Sequence, residues 1–335
     1  MVNLTIVIPT FNRIEILSKI LPGLLNQLTP EIKLVLLDNF SDDPISLLID
    51  PLVSEYPNLN IKVIRNNLNI GGAANILRSF ELVNEGWLWI LGDDDIVAKD
   101  AIDKIKNTID ENRDVDFINF STLSMHDNKS RINDYQTLGI DDFINKLDFA
   151  GNVNFMSVGV WNVGRFRNYI HFAYHYAYTM TSTFILLLTS LADNGKVYFS
   201  NQVLIDGVSL VSGKKRWNYL DFILGWAMLF EIPMSDKMRK ILYLKIKKTW
   251  ITPESVIIYF LIHAVYATDS YFKYCIYVNR ISMHVPYLSR IRFTIYKLFF
   301  IFPNGSLFFL KSIIRLSVFL KIKNIDISEI IDRYQ

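Results

Sequence analysis

Between residues 4 and 121, short apolar runs alternate with stretches of helical periodicity, and no other feature narrows the fold as far. The runs are LTIVIPT (4–10), IKLVLLD (32–38), NIKVIRN (60–66), WLWILG (87–92) and VDFINFS (115–121). Each has the length of a strand and is rich in β-branched or aromatic residues. After the first run, apolar residues recur at Ile14, Leu17, Ile20, Leu21, Leu24, Leu25 and Leu28, which is one face of a helix. Residues 71–86 read as a helix entered through Gly71 and Gly72 and stopped at Gly86, and 98–112 as an amphipathic helix. Strands that are apolar throughout are buried on both faces. The expected fold class is therefore α/β, a Rossmann-like, mainly parallel sheet with helices on both sides.

Sheets of this kind bind ligands beyond the carboxyl ends of their strands. The chain places polar groups there: Thr10 and Asn12 after the first strand, Asp38 after the second, Asn66 and Asn67 after the third, and Asp93, Asp94 and Asp95 after the fourth. Strands commonly end in polar loops, so the aspartates carry the argument. Three consecutive carboxylates behind a buried strand repel one another unless a cation sits against them. Mg²⁺ or Mn²⁺ suits the task, because it takes one or two carboxylates and leaves positions for water and substrate phosphates. Chain alternation predicts Asp93 and Asp95 on one side and Asp94 on the other. The competing reading is a surface turn whose aspartates favour the positive end of the 98–112 helix.

Further along, 155–163 reads as a strand, 179–195 as a helix with an apolar centre, 196–205 as a strand, and the chain from about residue 215 as mostly helical. Residues 1–200 hold 16 Lys and Arg against 24 Asp and Glu, net −8, and residues 201–335 hold 19 against 9, net +10. An acidic front joined to a basic, aromatic back suggests two tasks, divided into domains at 1–210 and 211–335. With 335 residues and 51% hydrophobic content, the chain has material for both. The lone Cys275 excludes an internal disulfide and a thiolate metal site. MVNLTIVIPT has no basic start and no small-residue cleavage site, which speaks against a signal peptide and for a cytoplasmic, reducing location.

Four motifs in order, IVIPTFNR (6–13), LLDNFSDD (36–43), NLNIGGAAN (67–75) and LGDDD (91–95), resemble the nucleotide-sugar domain of the family 2 glycosyltransferases, whose fold is called GT-A. The resemblance covers residues 3–125 and fades after about residue 205. It implies that Pro9, Thr10, Asn12 and Arg13 line a nucleotide pocket. Asp38 would accept a hydrogen bond from the base, with Asn39 beside it. Asn69, Gly71, Gly72, Asn75 and Arg78 would border the pocket. Asp93 and Asp94 would contact ribose or diphosphate, and Asp95, with Asp93, would hold Mn²⁺ or Mg²⁺. Asp38 or Ser41 capping the next helix, and Arg78 as a solvated helix residue, are the plainer alternatives.

Family members commonly place an acidic pair at the start of a helix after the acceptor strand, and residues 155–195 contain no such pair. They offer YIHFAYHYAYTMTS (169–182) instead. Likeness to the O-antigen and capsule sugar transferases of this family, abequosyltransferases among them, implies a histidine in this neighbourhood. His175 is then the first candidate base, His171 the second, and Asp193 or Asp206 the fallbacks. A structural histidine among aromatic residues is the equal alternative.

The tail places Lys and Arg among Phe, Ile, Leu and Tyr in 214–217, 237–248, 287–302 and 308–323. No stretch offers about 20 uncharged apolar residues, so an interfacial helix on an anionic membrane is expected in place of a span. Buried helices or a homo-oligomer interface are the other use open to it. Nucleic acid is excluded as a partner because the basic residues sit in apolar segments. Taken with the resemblance, these features imply a metal-dependent, inverting glycosyltransferase. It would move a sugar from a nucleoside-diphosphate donor, UDP first and CDP or dTDP after it, to a hydroxyl of a surface glycan. The acceptor would be polyprenyl-diphosphate-linked, at the cytoplasmic face of the inner membrane. Two rivals stay open: a non-catalytic scaffold of a glycan assembly complex, and a nucleotidyltransferase, which PTFNRIEIL disfavours for want of a glycine.

Overall fold

The computed structural model describes residues 2–123, 131–208 and 219–249. Its first half is the expected alternation. Strands β1 (Leu4–Thr10), β2 (Lys33–Asp38), β3 (Asn60–Arg65) and β4 (Trp87–Ile90) pair in parallel in the order β3-β2-β1-β4. Helices α1 (Ile14–Leu25), α2 (Ser46–Glu55) and α3 (Gly72–Arg78) make the crossovers. β1 has neighbours on both edges and helices on its faces, and all seven of its residues are buried. That is why it reads as an unbroken apolar run.

The second half departs from a parallel sheet. β5 (Asp95–Val97) follows β4 directly, and α4 (Ala101–Glu111) leads to β6 (Phe117–Thr122). β7 (Tyr135–Leu138), α5 (Gly139–Lys146) and α6 (Ala150–Asn154) come next, then a single 3-10 turn at Met156–Val158 and β8 (Gly159–Asn162). The short helices α7 (Val163–Phe166) and α8 (Ile170–Tyr174) precede α9 (Ser182–Leu191) and β9 (Lys196–Val208). The nine-stranded sheet runs β3-β2-β1-β4-β8-β6-β9-β5, with β7 also on β9. β8 is antiparallel to β4 and β6, and β5 and β7 are antiparallel to β9, so six strands run one way and three the other. Hydrophobic periodicity carries no strand direction, and the antiparallel members were invisible to it.

Several boundaries moved for local reasons. The helix expected over 71–86 stops at Arg78, and the strand expected over 87–92 stops at Ile90 because the chain turns at the aspartates. The strand expected over 155–163 is half 3-10 turn. Pro51 inside α2 and the polar YQTL of β7 hid both elements. The interior is aromatic: Trp161 lies tilted against Phe117 at 4.3 Å and meets Phe166 at 4.9 Å and Phe80 at 5.3 Å edge-on. Buried Trp89 donates its indole N–H to the Ser157 carbonyl at 2.7 Å, which pins the turn before β8 against β4.

The chain divides into two compact units, 1–216 with 232–245 and 217–231 with 246–335. In the second, α10 (Tyr219–Met228) is helical as expected. The basic stretch 237–248 falls in α11 (Asp236–Thr249). Its Met238 and Leu242 are buried, and Lys245 donates to the Asn145 carbonyl at 2.8 Å. Residues 236–245 belong to the first unit, where this part of the basic tail makes ordinary core contacts. The stretches 214–217, 287–302 and 308–323, and Cys275, lie outside the described residues.

Gly86 joins the first and last strands of the parallel half. Its φ is +82°, a region that favours glycine, and a Cβ there would collide with the Asn3 backbone oxygen. Replacement of Gly86 by Ala is expected to cost about 1–3 kcal/mol. A lower urea midpoint at unchanged slope would register it; an unchanged midpoint would contradict the geometry.

Candidate functional site

β4 releases the chain at the carboxyl edge of the sheet. The Leu91 N–H still bonds to the Val7 carbonyl at 3.0 Å, Gly92 to Asp94 form a turn, and Asp95 opens β5 opposite Val208. All three aspartates are buried, with 4–5% exposure each. Asp93 accepts from the Thr10 hydroxyl at 2.7 Å through Oδ2 and from the Arg13 guanidinium at 2.5 Å through Oδ1. The same Arg13 nitrogen is 3.7 Å from Asp94 Oδ2. Asp95 Oδ2 accepts from the Ser157 hydroxyl, whose oxygen in turn accepts the Gly92 N–H at 2.8 Å. A Cβ at Gly92 would collide with the Asp95 carboxylate, so glycine is what lets that side chain fold back across the turn. The expected alternation is corrected here. A turn groups Asp93 with Asp94 around Arg13 and sends Asp95 to Ser157.

Burial works against charge in this turn. Burial pushes Asp93 above its ordinary value, against the pull of Arg13 and Thr10. Burial, and then the neighbouring Asp94, push Asp95 up to about 7, although the Ser157 hydroxyl pulls the other way. Among the described residues Asp95 Oδ1 has no hydrogen-bond partner. No three His, Cys, Asp or Glu side chains among them converge as a complete cage. A hard divalent cation fits such a donor set, since it uses one or two carboxylates and completes its shell with water and phosphate. Asp95, with Asp93, would hold it.

The other strand ends form a lattice of amides. Arg78 donates to Asn66 Oδ1 at 2.6 Å, and Asn66 Nδ2 donates to Asn39 and Asn75, each at 2.9 Å. Asn39 donates to Asn69 at 2.8 Å, and the Asn39 N–H bonds to the Thr10 carbonyl at 2.9 Å. Asn12, at φ +54°, exchanges bonds with Asp42 and takes the Ser41 hydroxyl as acceptor for its N–H at 2.8 Å. Gly71 has φ +87° and open space where a Cβ would point.

Burial sorts the expected nucleotide residues into two groups. Asn12, Asn69, Gly71 and Gly72 are exposed, and Arg13 and Arg78 half-buried, so these can face a ligand. Pro9, Thr10, Asp38, Asn39 and Asn75 are buried. Asp38 is corrected most. Its oxygens bond to Arg65 at 2.5 Å and to the Ser41 N–H at 2.9 Å, so it shapes the loop and offers no free face to a base. Pro9 is likewise buried, in the ladder opposite Leu37.

Sequence reasoning missed four exposed apolar side chains on these loops, Phe11, Phe40, Leu68 and Ile70. Arg65 stacks over Phe40 at 4.9 Å. Their signal was an aromatic or aliphatic residue placed after a strand end, where no core requires one. Ser157 was also missed, and a serine before a strand gives no signal at all.

His171 and His175 are both exposed, on and just after α8. α8 is tied to the end of α3 by the Tyr174 hydroxyl, which donates to Glu81. Asp193 is corrected as a base. It accepts from the Tyr169 hydroxyl at the amino end of β9, while the other end of that 13-residue strand pairs with Asp95. At about 3.3 Å per residue the ends are roughly 40 Å apart along the strand. Asp206, by contrast, is exposed at the irregular step where β9 meets β5.

A mixed sheet with its strand ends gathered around a buried carboxylate turn is a GT-A glycosyltransferase architecture. The same fold is seen in the crystal structure of S. aureus TarS 1–349, at TM-score 0.55 and 11% identity over 83% of this chain and 81% of that one. It is seen again in its complex with UDP-GlcNAc, at TM-score 0.54 and 13% identity over 73% and 72%. At such identities the likeness is one of fold alone. Residues 5–171 match Glycosyl transferase family 2, and the chain carries a domain of that family. The abequosyltransferase RfbV of Salmonella typhimurium is 36% identical over 110 residues, 32% of this chain and 33% of its own length. An uncharacterized glycosyltransferase of Haemophilus influenzae is 25% identical over 115 residues, 34% and 37% of the two chains. The match thus spans about a third of each curated relative.

Asp95 also sets a stability signature. Its folded-state value, about 7, lies above the ordinary 3.8, so its contribution to folding is complete below about pH 4 and is lost as the pH rises through 7. Asp95→Asn mimics the protonated form. In chelator-treated protein it should melt several degrees higher than wild type at pH 8 and equally at pH 4. Equal melting at pH 8 would contradict a strained carboxylate.

Proposed function

We propose that this protein transfers a sugar from a nucleoside-diphosphate donor to a hydroxyl of a surface glycan, with a divalent cation at the aspartate turn. The observation that carries the reading is three buried carboxylates at the sheet's carboxyl edge, two of them within reach of the Arg13 guanidinium. Mn²⁺ or Mg²⁺ held there would act as a Lewis acid on the departing diphosphate. Asp95 would supply its unpartnered oxygen, oriented by Ser157. Asp93, braced by Thr10, would orient the ribose or diphosphate. Asn12, Asn69 and the open backbone at Gly71 and Gly72 would border the donor, and the exposed rings of Phe11 and Phe40 offer flat faces to a base.

UDP is the first nucleotide to test, with CDP and dTDP beside it. TarS was crystallised with UDP-GlcNAc, and the relative from Salmonella typhimurium is named for abequose transfer, which supports an O-antigen-type acceptor. An inverting course needs one base opposite the leaving group. His175, exposed just after α8, is put forward for it, with His171 second and Asp206 in place of Asp193. A lipid-linked acceptor would bring the chain to the inner face of a membrane. No helix among the described residues is long and apolar enough to cross one. The basic segments 287–302 and 308–323 support surface attachment, at about 1 kcal/mol per basic residue.

Calorimetric titration of UDP, CDP and dTDP, with and without Mn²⁺, tests the donor half. At least one should bind at least tenfold more tightly with the metal, and Asp95→Ala should abolish that gain. Metal-independent binding, or none, would return the chain to the scaffold reading. With the preferred donor, His175→Ala should lower kcat by about 10²–10⁴ while donor affinity holds. If only His171→Ala does so, the base assignment passes to His171. Flotation with anionic liposomes at low salt should lift the protein, and a protein left at the bottom would end the membrane proposal.

A further inference from the structure

We infer that Arg13 is a built-in counter-ion whose release by the donor diphosphate admits the cation, so that metal and nucleotide enter together. The inference rests on the proposed donor site and adds what controls its occupancy.

Arg13 holds the carboxylate that, with Asp95, would take the metal. Its guanidinium nitrogen lies 2.5 Å from Asp93 Oδ1 and 3.7 Å from Asp94 Oδ2. The remaining Asp93 oxygen is taken by Thr10 at 2.7 Å. A cation can therefore meet Asp95 Oδ1, but it cannot add Asp93 while Arg13 holds that carboxylate. Arg13 and a metal are competing solutions to one problem, the burial of the Asp93 charge.

The competition is reversible by construction. The Arg13 side chain is 20% exposed, whereas Asp93 and Asp94 are each at 7%. Its backbone is anchored, because Asn12 is clamped to Ser41 and Asp42 on the neighbouring loop. The guanidinium can thus swing outward from a fixed root. A diphosphate arriving at the strand ends presents oxygens that match its planar fork better than a lone carboxylate does. Once Arg13 turns to the phosphates, Asp93 loses its ion-pair partner, and a divalent ion takes its place. Arg13 thereby selects for a cation that arrives with a phosphate ligand over one that arrives alone.

Mn²⁺ binding read from the free-ion paramagnetic resonance signal, on the whole 335-residue chain, tests this. Arg13→Gln should bind Mn²⁺ alone about tenfold more tightly than wild type, and should bind UDP in saturating Mn²⁺ about tenfold more weakly. Binding of Mn²⁺ alone that is no tighter overturns the inference. If Arg13→Gln does not fold, Arg13→Lys takes its place. Its single ammonium reaches one carboxylate at a time, so Mn²⁺ alone should again bind more tightly than to wild type, and an equal or weaker constant overturns the inference. Wild-type protein that takes up Mn²⁺ neither alone nor with UDP contradicts the proposed function and this inference together. Wild-type protein that binds Mn²⁺ with UDP while Arg13→Gln is unchanged for Mn²⁺ alone contradicts only the inference.

Discussion

Burying three adjacent carboxylates behind a strand is the costly act around which this fold is arranged. An isolated buried carboxylate is unfavourable by several kcal/mol unless it is protonated, paired or coordinated. Asp93 is paired to Arg13 and bonded to Thr10, Asp94 leans on the same guanidinium, and Asp95, raised to about 7, is bonded to Ser157. Each partner comes from a different element. Thr10 ends β1, Arg13 precedes α1, and Ser157 sits in the turn before β8. The parallel half and the antiparallel half of the sheet therefore meet at this point.

The antiparallel half explains why the aspartates stay put. Trp89 and Gly92 both bond to Ser157, one to its carbonyl and one to its hydroxyl. β5 continues from Asp95 into pairing with the far end of β9. The turn is held on both sides by ladder and side-chain bonds. A site that must resist mutual repulsion without a ligand needs such support, because preorganised groups lose little on binding. The amide lattice from Arg78 through Asn66 to Asn39 does the same for the neighbouring loops, fixing which groups reach solvent.

Much of this was legible in the sequence, for reasons that can be named. β1, β2 and β4 are buried on both faces, so their apolar runs announced them, and the polar residue closing each run marked the site edge. Asp93 to Asp95 stood out because nothing in a bare surface turn requires three charges in a row. Periodicity could not show strand direction, nor the three-residue β5, nor how a turn breaks alternation to separate Asp95 from Asp93. It also could not tell a ligand-facing polar group from one that braces its neighbours. Asp38 and Asn75 are bonded to their neighbours, and Phe11 and Phe40, placed after strand ends, are exposed. Asp193 lies by the amino end of β9, which its place in the sequence could not show.

The most direct measurement is the anomalous scattering of Mn²⁺ in crystals grown with a tightly bound nucleoside diphosphate. A single strong peak within coordination distance of Asp95 and of the diphosphate oxygens is the result this account predicts. Diphosphate density at the strand ends with no metal against Asp95, or a metal bound away from the turn, would contradict it.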